Sequence, residues 1–199
     1  MSDTEAEDSD KRREEPNQKL LEASDSGDHE VVSRLLNEGA EVSSKNSDGN
    51  LGIHLSAVKG HEKVVAEFLR KGQDVNIRSG QFNSSPLMWA AQEGHTNVIR
   101  LLLDHGAQID LHNEGGETAL TIAAYNSHSE AVSELLLRGA DETLADNGGL
   151  TALQWAEKKG NNDAPQSTTA ASYTGLSAAF SSSKLPCQHY SKDSKSDLK

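Results

Sequence analysis

A glycine-led pair recurs along this chain at a fixed interval: Gly39-Ala40, Gly72-Gln73, Gly106-Ala107 and Gly139-Ala140, with the glycines 33, 34 and 33 residues apart. A second marker, Gly27, Gly60, Gly94, Ser127 and Gly160, keeps the same step of 33 or 34 residues. Two independent landmarks with one period mean that the chain repeats a single structural unit. A unit this short cannot bury its own apolar face, so successive units must stack and cover one another.

The apolar pattern inside each period is helical. Val31, Val32, Leu35 and Leu36 fall at i, i+1, i+4 and i+5, one face of a helix. The spacing returns as Val64, Val65, Phe68 and Leu69, then Val98, Ile99, Leu102 and Leu103, then Ala131, Val132, Leu135 and Leu136. Each of these helices is followed after three residues by Gly39, Gly72, Gly106 or Gly139, where a residue of positive φ stops the helix. The earlier half of each period carries a shorter helix, expected over 53–59, 87–93, 120–126 and 153–159. Its small pairs Ser56-Ala57, Ala90-Ala91 and Ala123-Ala124 let neighbouring helices approach closely.

These residues resemble the ankyrin repeat, whose unit reads Thr-Pro-Leu-His-x-Ala-Ala, then Gly-His, Val-Val-x-x-Leu-Leu and Gly-Ala. The matching stretches are Ser85-Pro86-Leu87-Met88-Trp89-Ala90-Ala91 and Thr118-Ala119-Leu120-Thr121-Ile122-Ala123-Ala124, with Leu51 to Ala57 a weaker copy that keeps His54. Gly60-His61, Gly94-His95 and Ser127-His128 supply the step between the helices, and Asp74-Val75-Asn76 the repeat ending. The expected fold is an all-α solenoid of about four and a half helix-turn-helix units with short turn or hairpin tips. The units run over 17–46, 47–78, 79–112, 113–145 and a partial 146–163. The third carries an extra loop residue between Ser79 and Ser84. The last lacks a second helix, because Asn161-Asn162-Asp163-Ala164-Pro165 has no Val-Val-x-x-Leu-Leu behind it.

Disordered tails are expected on both sides. Residues 1–16 hold seven acids and three bases with almost nothing apolar, too little burial to offset ordering entropy. Residues 164–199 are rich in Ser, Ala, Thr and Lys. With no second helix after Gly160, Leu135, Leu136 and Leu137 are expected to be partly uncovered, unless Tyr173, Leu176 and Phe180 fold back over that edge. A chain shortened relative to a longer form is the alternative.

Charge and cysteine content narrow the class of function. With Asp and Glu outnumbering Lys and Arg 31 to 19, the formal net charge is -12. Such a surface repels phosphate backbones and anionic lipid, and attracts a basic partner segment. Cys187 is the lone cysteine, which suits a reducing compartment. No apolar run of membrane-spanning length occurs. A soluble monomer in the cytosol or nucleus is expected; Lys11-Arg12-Arg13 is too short for a nuclear address.

No catalytic, cofactor or metal chemistry is expected. His61, His95 and His128 recur at one repeat position, roughly 10 Å apart as helix pairs stack, whereas metal ligands converge within about 2 Å of one ion. They read as stacking histidines. Cys187 and His189 form an isolated pair in the tail. Trp89 and Trp155, in one register, are expected to pack inward. Gly115-Gly116 and Gly148-Gly149 are turn tips, not phosphate cradles, and no activated nucleophile pair occurs. Asn76 reads as a structural turn residue, although its setting resembles a hydroxylation site of ankyrin repeats. Thr4 and Ser9 sit among acids, a setting for acidophilic kinases.

What remains is protein binding. The resemblance implies a partner held by the tips and the concave face of the first helices, positions that the stacking core leaves free. At the tips these are Asp48, Asn50, Phe82, Asn83, Glu114 and Glu117; on the helices they are Lys59, Glu93, Tyr125, Asn126 and Lys158. Val58, Gln81, Gln92, Asn147, Leu150 and Lys159 share the same registers. Phe82 and Tyr125 are the expected anchors, because buried aromatics dominate interface energies. The expected role is an adaptor or regulatory scaffold with an acidic concave face. The alternative is a structural spacer, or a recruiting subunit whose tails carry the signal.

Overall fold

The computed structural model describes residues 3–160, with side chains described from Glu15 to Lys159. The fold is all-α, and the helices fall into two layers. The inner layer holds α1 (Asp3–Ser26), α3 (Gly52–Val58), α5 (Pro86–Gln92), α7 (Ala119–Tyr125) and α9 (Ala152–Gly160). The outer layer holds α2 (His29–Asn37), α4 (Glu62–Arg70), α6 (Thr96–Asp104) and α8 (Ser129–Leu137). Each inner helix but α9 packs on the outer helix that follows it, and each layer stacks in chain order. Among the described residues, β pairing is confined to isolated bridges at three tips: Lys45 with Leu51, Ser79 with Ser84, and Ala145 with Thr151. The alternation of short and longer helices read from the period is what the chain forms, with the inner helices starting one residue earlier.

One core runs the length of the stack. Val32, Ile53, Val65, Phe68, Ala90, Ile99, Leu102, Ala123 and Leu135 are all fully buried, so each repeat contributes the same registers to a continuous apolar seam. The alanine pairs do what their size allows: Ala90, Ala91, Ala123 and Ala124 are buried where neighbouring inner helices meet.

The histidines fasten one unit to the next. His61 Nε2 donates to the Asp25 carbonyl at 3.0 Å, His95 Nε2 to Val58 at 3.0 Å, and His128 Nε2 to Gln92 at 2.9 Å. In each case the imidazole reaches back across 36 or 37 residues to the end of the preceding inner helix. It lies against the preceding glycine. A Cβ on Gly60, whose φ is +76°, would meet His95 Nδ1 at 2.6 Å, and Gly27 and Gly94 stand likewise against His61 and His128. Ser127 is the exception, a non-glycine at φ 62°. The position that would follow His128 one period on is Asn161 and not histidine, so the sequence supplies no imidazole to need the space that the Ser127 side chain takes. Gly60→Ala is therefore expected to destabilise by about 1–3 kcal/mol, since left-handed strain and a ring clash add. Ser127→Gly should be neutral or slightly stabilising; urea unfolding of the two variants measures both.

Asx side chains make a second tie between repeats. Asn76 Oδ1 accepts the Gln108 N–H at 2.8 Å, and Asp110 Oδ1 accepts that of Asp141 at 2.9 Å. Asn76 thus has the structural part expected of it. On the outer layer Glu134, buried on α8, takes Arg100 of α6 at 2.9 Å and Arg138 at 3.1 Å. These arginines, with Arg100 the larger influence, outweigh burial and hold its carboxyl below the usual carboxylate range.

α1 runs from Asp3 to Ser26. Leu20 and Ala23 anchor its C-terminal part in the core, and Pro16 lies inside it, where it removes one backbone hydrogen bond. The uncovered edge is narrower than expected. Leu135 is fully buried and Leu136 packs against the core, while Leu137 is 74% exposed and Leu153 43%. Tyr173, Leu176, Phe180, Cys187 and His189 lie outside the described residues, as do the side chains of Thr4 and Ser9.

Candidate partner-binding groove

The tips are built by single side chains that gather backbone donors. Asn46 Oδ1 accepts from the N–H groups of Asp48 and Asn50 at 3.0 and 2.9 Å. Asn113 does the same for Gly115 and Glu117, and Asp146 for Gly148 and Leu150. These are Asx turns, in which a short side chain supplies the acceptor that the turning backbone lacks. The tip of the third unit differs because of its extra residue: Ser79 and Ser84 exchange backbone hydrogen bonds at 3.0 and 2.9 Å, and Asn83 turns with φ 54°.

Neighbouring tips are joined through their backbones. The Phe82 carbonyl accepts the Glu114 N–H at 2.9 Å, the Gly115 carbonyl accepts that of Asn147 at 3.0 Å, and Asn147 Nδ2 donates to the Glu114 carbonyl at 2.9 Å. Phe82 is consequently held at its carbonyl while its ring is 58% exposed. A greasy ring displayed on a tied-down backbone serves no purpose in the core.

Beneath the tips, one register of the inner helices is apolar from α3 to α9, while α1 holds Glu22 there. Leu55, Trp89, Ile122 and Trp155 are all half-buried, forming a stripe that the core covers on one side only. The next turn presents Val58, Gln92, Tyr125 and Lys158, then Lys59, Glu93, Asn126 and Lys159. Between the tips of the third and fourth units this surface forms a groove of about 490 Å³, lined by Phe82, Trp89, Gln92, Glu93, Ile122 and Tyr125 among others. Tyr125, 40% exposed, stands edge-on to Trp155 with ring centres 5.0 Å apart.

The expected site residues sort into groups. Phe82, Glu93, Glu117, Tyr125 and Asn126 come together in this groove. Asp48 lines a second, wider groove of about 890 Å³ under the tip of the second unit, with Glu22, Asp25 and Glu41. Lys59, Glu114 and Lys158 are exposed beside these grooves, and Asn83 is half-buried in its turn. Asn50, although it borders the wider groove, is 7% exposed, and its Oδ1 accepts the Ser79 hydroxyl at 3.3 Å. Its side chain braces two tips, so a partner has little of it to touch. Glu117 is partly spoken for by Asn113 Nδ2 at 2.8 Å, and Asn126 Nδ2 donates to the Ile122 carbonyl at 3.0 Å.

The tryptophans divide. Trp89 packs on the core, edge-on to His54, while still lining the groove. Trp155 is half-buried on the inner face instead, and its indole N–H donates to Asp146 Oδ2 at 2.6 Å. Burial works against ionising Asp146, but the Leu150 N–H, this indole and the Gly148 N–H hold its carboxyl below the ordinary aspartate range. The apolar stripe as a binding feature was missed at the sequence level. The register before Ser56-Ala57, Ala90-Ala91 and Ala123-Ala124 was the available signal, since it is apolar in each of these repeats without belonging to the helix–helix seam.

Sequence comparisons agree with the architecture. Models described as ankyrin repeats match residues 20–113 and 102–156. Palmitoyltransferase Hip14 of Drosophila melanogaster is 31% identical over 103 residues, 52% of this chain and 16% of that protein. Dauer abnormal formation protein 25 of Caenorhabditis elegans is 33% identical over 106 residues, 53% of this chain and 27% of that protein. A putative ankyrin repeat-containing protein of Treponema pallidum is 31% identical over 96 residues, 48% of this chain and 32% of that protein. The matched stretch is thus under a third of the length of each of these relatives. No helix among the described residues is long and apolar enough to cross a membrane.

Proposed function

Because the chain belongs to the ankyrin-repeat family, we propose that it is a non-catalytic adaptor or scaffold that holds a partner protein in the groove between the tips of its third and fourth units. The observation that carries this reading is the placement of Phe82. Its ring is exposed, its carbonyl is hydrogen-bonded to the next tip, and Tyr125 lines the same groove. An anchor already fixed before binding loses little freedom when the partner arrives, which favours affinity. The half-buried stripe of Trp89 and Ile122 gives a floor on which such a partner buries apolar surface.

A non-catalytic role is supported by the employment of the reactive side chains. Three repeated histidines are engaged in fastening repeats, and His54 is sealed in the core. The palmitoyltransferase similarity covers a small part of that enzyme, so it carries the repeat to this chain and not the activity. The partner is a protein rather than nucleic acid or membrane, given the formal charge of -12. The protein acts as a monomer in the cytosol or nucleus.

The test is a selection of binding peptides on the full chain, followed by titration of the winners against Phe82→Ala/Tyr125→Ala. The double variant should weaken binding at least about tenfold, the loss of one or more hot-spot contacts, with its melting temperature unchanged. Winners that bind both proteins equally would remove the groove from consideration.

A further inference from the structure

We infer that the partner segment is dipolar, with its basic end over α1 and the tip of the second unit and its acidic end over α9. This deepens the reading of the groove as a partner site and rests on it. The net charge of the chain suggests a uniformly acidic receiving face, but the residues facing the grooves are not uniform. At the N-terminal end, the wider groove gathers Glu22, Asp25, Glu41 and Asp48 against Lys45 as its one base. In the middle, the inner helices present Gln92, Glu93, Tyr125 and Asn126. On α3 these two registers hold Val58 and Lys59, and at the C-terminal end they become a lysine pair, Lys158 and Lys159, both exposed.

Their surroundings make this basic end more than a helix terminus complemented by cations. Lys159 Nζ lies 4.2 Å from the centre of the Tyr125 ring, which belongs to the neighbouring helix, and Lys158 Nζ lies 5.1 Å from that of Trp155. The two rings are themselves in edge contact at 5.0 Å. Cation–π contact restrains each ammonium group across an aromatic face. The anchor ring of the groove and the two positive charges therefore form one continuous surface. A partner whose apolar side chain reaches Tyr125 brings its next residues onto the lysines, and an acidic residue is the chemistry that matches them.

Geometry also sets the length. Adjacent inner helices stand about 8–10 Å apart, so the span from α1 to α9 is on the order of 40 Å, about 12 residues of extended chain. The occupant is one continuous segment: basic residues at one end, an apolar side chain for the Phe82–Tyr125 groove towards the middle, and acidic residues at the other end.

The experiment uses three libraries of 12-residue peptides displayed against the full chain, each with a randomised centre. One carries basic residues at one end and acidic residues at the other, one is basic at both ends, and one acidic at both. Dipolar peptides should supply the tightest binders. The charge reversal Lys158→Glu/Lys159→Glu should weaken them about tenfold and strengthen the doubly basic peptides, with the neutral Lys158→Gln/Lys159→Gln in between. Thermal melts of both variants establish that the fold is kept. Doubly basic peptides that bind the unaltered chain as tightly as dipolar ones, or dipolar binders indifferent to the reversal, would overturn the inference while leaving the groove intact if Phe82→Ala/Tyr125→Ala still abolishes binding. Binders insensitive to that double alanine change as well, or no binder from any library, would overturn both readings.

Discussion

Leu102→Ala is expected to destabilise the folded chain by about 2–5 kcal/mol, the usual cost of removing a buried leucine and leaving a cavity. Leu102 is fully buried on α6, which stacks between α4 and α8. Neither of those helices can move in to fill the gap without giving up contacts with its own inner helix. Against a typical domain stability of about 5–15 kcal/mol, the loss should lower the melting temperature on the order of 10 °C. The matched control is Leu137→Ala. Leu137 stands on the next outer helix but is 74% exposed, where asparagine, arginine and aspartate occupy the equivalent positions Asn37, Arg70 and Asp104. That change should move stability by less than about 0.5 kcal/mol. Equal effects at the two positions would mean that the seam between outer helices is misplaced.

The second large effect is a pH dependence centred on His54. Its imidazole is fully buried on α3, with Nε2 donating to the Ile77 carbonyl at 3.1 Å. Burial lowers its pKa from 6.5 to about 4; the carbonyls of Ile77 and Ser84 oppose the shift, and Lys45 adds to it. The folded state therefore keeps His54 neutral where the unfolded chain would protonate it. The resulting stabilisation is complete above pH 6.5 and fades as the pH falls towards 4. Each pKa unit is about 1.4 kcal/mol, so the full window is worth about 3 kcal/mol. Met88 fills the equivalent position one repeat on, which makes His54→Met a suitable comparison. Between pH 7 and 4.5 the unaltered chain should lose about 2–3 kcal/mol more than His54→Met in urea unfolding. Glu67, Glu134 and Asp146, whose pKa values are lowered, act in the same direction but mainly at more acid pH. Parallel losses in the two proteins would mean that His54 is hydrated or charged in the folded state.

Much of this molecule is legible in its sequence for a physical reason. In a stacked repeat every core contact is copied once per period, so a register is written several times over. Val32, Val65, Ile99 and Val132 share one register and are all buried. The reuse of the mid-repeat histidine shows its structural nature in the sequence itself. Errors arise where a contact occurs once. Asn50 looks like any polar tip residue, and only the extra-long tip of the third unit places Ser79 against it. Trp155 shares its register with Trp89 but stands at the last inner helix, where its indole turns to Asp146 and its ring meets Tyr125.

The candidate site was half legible. Phe82 and Tyr125 stand out because aromatics are scarce, 4% of the chain, and because they occupy registers that the core does not use. What a linear reading cannot supply is the joining of the tips, which fixes the Phe82 backbone, and the passage of lysine ammonium groups across two aromatic rings on neighbouring helices. The tip bonds and the Lys159–Tyr125 contact depend on residues about one repeat apart meeting in space, whereas Lys158 meets Trp155 within α9.

The most direct test of the account is a map of backbone amide chemical shifts in the full chain as a selected peptide is added to saturation. The shifts should cluster at Phe82, Gln92, Glu93, Tyr125 and Asn126 and extend to Lys158 and Lys159, with the outer helices α2, α4, α6 and α8 unmoved. A cluster on those outer helices, or one confined to residues beyond Gly160, would contradict it.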